Sequence, residues 1–179
     1  LRPSDQTRTP LYCIRRGLSA VPAYRAPSGW IAGSPLKVIS VGRLIEKKGY
    51  FRQLEIYECW KRRGIDFEVS IVGEGPQFKK LNAEIRRKDL EGCVHLRGKL
   101  AFAVVSELYE QSSLFMFTGL VGRSGDRDGF PNVIGEAIAY SLPVFSTDVS
   151  GTTEGVVDGV RGTIIDASDP EAAAERILE

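Results

Sequence analysis

Histidine is nearly missing from this chain: His95 is the only one in 179 residues. A Ser–His–Asp hydrolytic constellation is therefore not expected, and His95, flanked by Val94 and Leu96 in an apolar run, reads as a structural or rim residue. Cysteine is scarce as well. Cys13, Cys59 and Cys93 are unevenly spread and lack CxxC spacing, so they read as reduced thiols of a cytoplasmic chain, with neither a disulfide framework nor a metal site. No His, Cys, Asp or Glu cluster has metal-ligand spacing. A dominant charge sign is lacking too: 24 Lys and Arg stand against 23 Asp and Glu. That balance leaves no electrostatic footprint for nucleic acid. No apolar run approaches the ~20 residues that span a bilayer, and no signal-peptide layout is present. An initiator Met is missing, and Glu179 closes the chain inside a helix-like Ala-rich run, which reads as a piece of a longer protein.

What is there is ordinary for a globular domain, 42% hydrophobic and 26% charged, and long enough for one sizeable core. Residues 1–34 are rich in Pro, Ser, Arg and Gly and read as a linker or surface wrap, with Leu11–Ile14 as a short strand. Residues 35–179 are regular. The short apolar runs Leu36–Val41, Phe67–Val72, Val94–Leu96, Ser113–Thr118, Pro143–Ser146 and Gly162–Ile165 read as strands. Between them, Tyr50–Arg63, Gln77–Lys88, Ala101–Gln111 and the stretch from Pro131 to Leu142 carry helical spacing. The inner stripes are Phe51, Leu54, Tyr57 and Trp60 on the first helix, and Phe78, Leu81 and Ile85 on the second. Asp169-Pro170 caps a terminal helix. This alternation predicts an α/β, doubly wound, parallel, Rossmann-like sheet. Ligands of such sheets bind beyond the carboxyl ends of the strands, so Gly42-Arg43, Gly73–Pro76, Arg97-Gly98, Thr118-Gly119 and Thr147-Asp148 are expected on one rim.

Three places on that rim could carry chemistry. The loop Gly42-Arg-Leu-Ile-Glu-Lys-Lys-Gly49 offers two cations, Arg43 and Lys48, just before a helix. It is neither a P-loop nor a GxGxxG fingerprint, and a diphosphate cradle and a solvated charged turn are both open readings. Gly73-Glu-Gly-Pro76 is a tight loop that lets backbone approach a flat ligand, or simply turns. The corner Asp128-Gly-Phe-Pro-Asn-Val-Ile-Gly-Glu136 places Pro131 in a helix's first turn beside backbone donors suited to an anion. Asp128 and Glu136 are carboxylates that could each accept vicinal hydroxyls. Glu136 sits among Ile134, Ala137 and Ile138 on a nearly all-apolar helix, where an acid needs a partner.

In series, Val41-Gly-Arg-Leu44, Lys48-Gly49, Val72-Gly-Glu-Gly-Pro76, Leu96-Arg-Gly98, Asp128-Gly-Phe-Pro-Asn132, Glu136-Ala-Ile-Ala139, Leu142-Pro-Val144 and Asp148–Gly151 resemble the donor-binding half of retaining GT-B glycosyltransferases. The subgroup is the large one of bacterial mannosyl- and glucosyltransferases. The resemblance implies that Arg43 and Lys48 neutralise a nucleotide diphosphate, and that Glu136, second acid of a Glu-x7-Glu motif, holds the ribose. Asp128 stands where the first acid, usually Glu, contacts the donor sugar. Gly129, Phe130, Pro131, Asn132 and Val133 match the loop whose backbone N–H groups face sugar and phosphate. Gly73, Arg97 and neighbouring strand ends such as Gly42 match the base-binding rim. The chain departs from the pattern at Ser19 of Arg16-Gly-Leu-Ser19, where an acid is usual, and in the longer, more polar stretch Thr118–Arg127 with Arg123 and Arg127. On this resemblance a hexose moves from a nucleoside diphosphate sugar to an acceptor hydroxyl with no metal and no other cofactor. The acceptor glycan or glycolipid belongs to an N-terminal lobe outside this sequence, and the longer enzyme associates peripherally with a membrane. The isolated domain is expected to bind donor and transfer nothing. A nucleotide-sugar epimerase of the same fold, and a non-catalytic degenerate lobe, are the alternatives.

Overall fold

The run Leu36–Val41 alternates toward two faces, with Leu36 and Val38 packed on one and Ile39 on the other, and this two-sided burial makes it the centre of the sheet. The computed structural model describes residues 33–121, 129–149 and 151–178. Around β1 (Leu36–Val41) lie β2 (Phe67–Val72), β3 (Val94–Gly98), β4 (Leu114–Phe117), β5 (Val144–Ser146) and β6 (Gly162–Ile164). Every pairing is parallel, and the order is β3-β2-β1-β4-β5-β6.

The helices follow from this order. α1 (Tyr50–Arg62) and α2 (Phe78–Arg87) carry the chain outward from β1 and cover one face, joined there by α6 (Pro170–Arg176). α3 (Phe102–Gln111) and α4 (Asn132–Ala139) lie on the other face, because the order reverses after β3; α5 (Thr152–Gly155) is a single turn. The first core centres on Trp60, whose ring centroid lies 5.5 Å from those of Tyr57 and Phe67, and whose indole N–H donates to the Ala174 carbonyl at 3.0 Å. Arg62 and Arg63 pair with Glu171, fastening α6 to α1. Asp169 caps α6 through the Ala172 N–H at 3.1 Å with Pro170 in the first turn, as its sequence predicts.

Two expectations differ from the fold. Phe78 is outside the inner stripe of α2; it is 37% exposed, while Leu81 and Ile85 are buried. It starts the helix and lines an open groove of about 340 Å³ against β3. Pro131 lies one residue outside α4, at its N-cap, with extended backbone. The Leu11–Ile14 strand, Arg16-Gly-Leu-Ser19, Arg123, Arg127 and Asp128 lie outside the described residues.

The strand order reverses between β1 and β4, the position where the loops leaving two adjacent strands part to opposite faces and leave a crevice. The Arg43–Lys48 loop leaves β1 there, and the connection to α4 leaves β4. Topology alone places two of the three candidate segments side by side.

Candidate functional site

The rim is held by backbone packed too closely for side chains. Gly42 N–H donates to the Val72 carbonyl at 3.0 Å, and Gly73 N–H to that of Gly98 at 2.8 Å, so the ends of β1, β2 and β3 are stitched together. Gly73 has φ 144°, and a Cβ there would lie 1.9 Å from the Gly42 carbonyl oxygen. Gly73 and Gly42 thus lie backbone against backbone, and a Cβ on Gly42 would meet the Tyr50 hydroxyl and the Lys48 stem.

The cationic loop is seated on β4. After a single 3-10 turn at Glu46–Lys48, Gly49 adopts the left-handed region (φ 67°, ψ 20°). Its carbonyl accepts from Thr118 Oγ1 at 2.9 Å, and the Lys47 carbonyl accepts from Leu120 N–H at 2.8 Å. Thr118 is fully buried. Lys48 folds back over the rim, its Nζ 5.1 Å from the centroid of the Phe117 ring and its stem close to Gly42. Phe117 therefore sets the height of the ammonium above the end of β4. Arg43 is exposed in the same loop, and its guanidinium makes no ion pair among the described residues. Both cations sit at the β1–β4 reversal.

Across the crevice, Phe130 plugs into the scaffold. A Cβ on Gly155 would meet its ring at 2.5 Å, and one on Gly135 at 3.8 Å, so two glycines make room for this aromatic. The ring anchors the corner beside Pro131, which is itself buried, while Gly129 and Asn132 are exposed. Asn132 and Val133 N–H groups open α4 with no acceptor among the described residues, while Ile134 N–H bonds to Pro131. These are the free first-turn donors an anion meets at a helix start.

Glu136 is half-buried on α4, and its partner is Tyr109 of α3, whose hydroxyl donates to Oε2 at 3.2 Å. The sequence shows that this acid needs a partner; the partner itself comes from another helix 27 residues away. Oε1 has no hydrogen-bond partner among the described residues. Tyr109 is 1% exposed, stacked on Tyr140 with centroids 5.0 Å apart and planes 10° off parallel. Burial, then the neighbouring Glu136 charge, push its hydroxyl well above the ordinary tyrosine range, so it stays a donor. Tyr109 is the residue that sequence reasoning passed over. Its signal was a tyrosine at a buried helix position, whose hydroxyl requires a partner.

Arg97 is not brought to the rim by its side chain. The β2–β3 pairing shifts register between Ile71 and Val72, leaving Arg97 as the extra residue on β3, and its guanidinium turns back along β2, with Nε 3.1 Å from Ser70 Oγ and Nη2 3.3 Å from Glu68 Oε1. The backbone of Gly98, with φ 67°, is what this strand contributes at its end. His95 lies beside the same acid, 3.8 Å from Glu68 Oε1, as a half-exposed strand residue. Gln77, at the start of α2, has a buried Oε1 without a hydrogen-bond partner. Among the described residues no three His, Cys, Asp or Glu side chains form a metal-holding group, and no helix is long and apolar enough to cross a membrane.

Residues 26–179 match the family model described as Glycosyl transferases group 1. The chain is 34% identical over 147 residues to a putative colanic acid biosynthesis glycosyltransferase, WcaL of Salmonella typhimurium, covering 82% of this chain and 36% of that protein. It is 34% identical over 144 residues to the amylovoran biosynthesis glycosyltransferase AmsK of Erwinia amylovora, covering 80% and 35%. The chain thus spans about a third of the length of these relatives. Among solved structures, the lipopolysaccharide outer core galactosyltransferase WaaB superposes with TM-score 0.70 at 22% identity, over 83% of this chain and 40% of that one. Anabaena HepE in complex with UDP-glucose superposes with TM-score 0.69 at 24% identity, over 80% and 38%. The chain belongs to the glycosyl transferases group 1 family, and its parallel sheet with helices on both faces is the Rossmann-like fold these glycosyltransferase structures share.

Proposed function

We propose that this domain binds the nucleoside diphosphate sugar of a retaining hexosyltransferase, and that the whole protein transfers the hexose to an acceptor hydroxyl in polysaccharide or glycolipid assembly. The supporting observation is the crevice where strand order reverses, with Arg43 and Lys48 on one side and the free first-turn N–H groups of α4 on the other. In transfer, the bond between the anomeric carbon and the diphosphate oxygen breaks, and negative charge gathers on the departing diphosphate. Two cations and a helix N-terminus stabilise that charge where it develops, the role a divalent cation plays elsewhere. In this reading the domain works without a metal. Glu136, with Oε1 unpartnered, accepts from the ribose hydroxyls. Gly42 and Gly73 line the rim beneath the nucleotide, with the backbone around Arg97 and Gly98 at the base end. Asp128 positions the donor sugar. Residues 1–34 link this domain to the acceptor lobe.

Relatives named for colanic acid and amylovoran biosynthesis support a polysaccharide setting, and neighbours holding UDP make uridine diphosphate the first probe. Calorimetric titration in excess chelator tests the reading. Uridine, guanosine and adenosine diphosphates are compared with their monophosphates. The expected result is a diphosphate bound roughly tenfold or more tighter than its monophosphate, as charge-assisted contacts imply, with no need for a cation. Binding that appears only after a divalent cation is added contradicts it.

A further inference from the structure

Glu136 carries a flexible side chain, yet the structure holds it in one place. We infer that Tyr109 is a positioning residue for ligand binding, fixing the Glu136 carboxylate so that Oε1 is presented to a vicinal diol. The inference rests on the nucleotide-binding reading above and goes beyond it, since it assigns a role to a residue on a different helix from the acid it serves.

The geometry is of a built clamp. Tyr140 caps the C-terminus of α4 four residues after Glu136, which keeps the two on one side of the helix, and Tyr109 engages both. Its ring lies flat against Tyr140, 5.0 Å between centroids, and packs on Phe115 of β4 at 6.0 Å. Its hydroxyl reaches Glu136 Oε2 at 3.2 Å. With the ring 1% exposed and gripped by two aromatics, the hydroxyl has a fixed position and one acceptor. It cannot ionise near neutral pH, because burial and the adjacent carboxylate both oppose a second negative charge. A donor that is always protonated and cannot swing away immobilises one oxygen of the carboxylate and leaves the other open. Ordering a rotamer-rich side chain otherwise weighs against binding, so a carboxylate already held in place binds its ligand more tightly. Phe78, the His95–Glu68–Arg97 group and the α2–β3 groove carry no comparable pairing of a fixed donor with an unpartnered acceptor.

The test separates positioning from bulk structure through the ligand. The probe is whichever of uridine, guanosine or adenosine diphosphate binds the chain most tightly, paired with its 2′,3′-dideoxy analogue. Wild type is expected to favour the ribose form by roughly tenfold or more, the worth of hydrogen bonds to an ionised group. Glu136→Gln should remove most of that preference. Tyr109→Phe keeps the ring and its stacking and deletes only the donor. It should reduce the preference by about threefold or more while the dideoxy analogue binds as in wild type, since only the diol contact depends on carboxylate placement. Tyr109→Phe weakening both ligands equally, or neither, overturns the positioning role. A wild-type chain that binds nucleotide without distinguishing the two sugars overturns the ribose role of Glu136 and the inference with it, and one that binds no nucleotide overturns the nucleotide reading itself. Thermal unfolding of Tyr109→Phe, read alongside, confirms that the compared proteins are folded.

Discussion

Gly49→Ala is the substitution that most sharply probes how the cationic loop is held. Gly49 sits at φ 67°, and a Cβ built there would lie 1.7 Å from the Thr118 carbonyl oxygen and 2.8 Å from its carbon. Both are backbone atoms at the end of β4, so no side chain can swing aside. Left-handed backbone costs an L-residue about 1–2 kcal/mol. Forcing a methyl into packed backbone adds roughly 1–3 kcal/mol. Gly64 provides the control, with nearly the same φ of 69° and nothing within 4 Å of its Cβ position. Gly64→Ala therefore reports conformational strain alone, and the excess loss in Gly49→Ala reports the contact with Thr118. For a chain of this length, about 3 kcal/mol lowers the thermal midpoint by roughly 6–12 °C. Calorimetry of the two variants should show Gly49→Ala falling well below Gly64→Ala, with nucleoside diphosphate affinity reduced in Gly49→Ala only. Equal midpoints for the two variants would refute the seating of the loop on β4.

Three further outcomes follow from the core and its charges. Trp60→Ala removes a fully buried ring and the donor to the Ala174 carbonyl, and should lose about 3–5 kcal/mol in denaturant unfolding; a loss under about 1 kcal/mol contradicts its place at the α1–α6 joint. The Arg63 hydrogen bond, aided by Arg62, holds the Glu171 carboxyl below its ordinary value. The folded state thus binds fewer protons there, so its contribution is complete above about pH 4.3, the unfolded value, and fades as pH falls through the lowered one. Glu171→Gln should flatten the acid limb of a midpoint-against-pH curve, and superimposable limbs contradict this. Burial pushes the Cys59 and Cys93 thiols up, so at pH 8 peptide-resolved iodoacetamide labelling should be slow in the native chain and fast in denaturant; native labelling of Cys59 at the denatured rate contradicts its burial.

The fold was legible because its signals are local. β1 and β2 are short apolar runs closed by Gly42 and Gly73, and Leu54, Tyr57 and Trp60 fall on one helical face. The rim follows from parallel order alone, so Arg43, Lys48 and the corner before α4 were expected on one edge of the sheet, whereas the adjacency of β1 and β4 that sets them side by side comes from the strand order. Contacts across the chain were not legible. Nothing in the spacing of α3 announces that Tyr109 meets Glu136, or that Thr118 receives Gly49, because both depend on how elements pack after the sheet is assembled. Phe78 was misplaced for a related reason: helical period gives the face of a residue, whereas its depth depends on where the helix begins relative to the sheet. Arg97 lies at a strand end in sequence, and the local irregularity in β3 sends its side chain back toward Ser70 and Glu68.

The most direct measurement is the dissociation constant of a nucleoside diphosphate for the wild-type chain, Arg43→Ala and Glu136→Ala. Arg43 touches phosphate and Glu136 touches ribose in this account, from opposite sides of the β1–β4 crevice. Each truncation should weaken binding roughly tenfold or more. Arg43→Ala should shrink the preference for diphosphate over monophosphate, and Glu136→Ala the preference for ribose. Absence of binding by the wild-type chain at millimolar nucleotide, or affinities unmoved by both substitutions, would contradict the assignment of this crevice to a nucleotide-sugar donor.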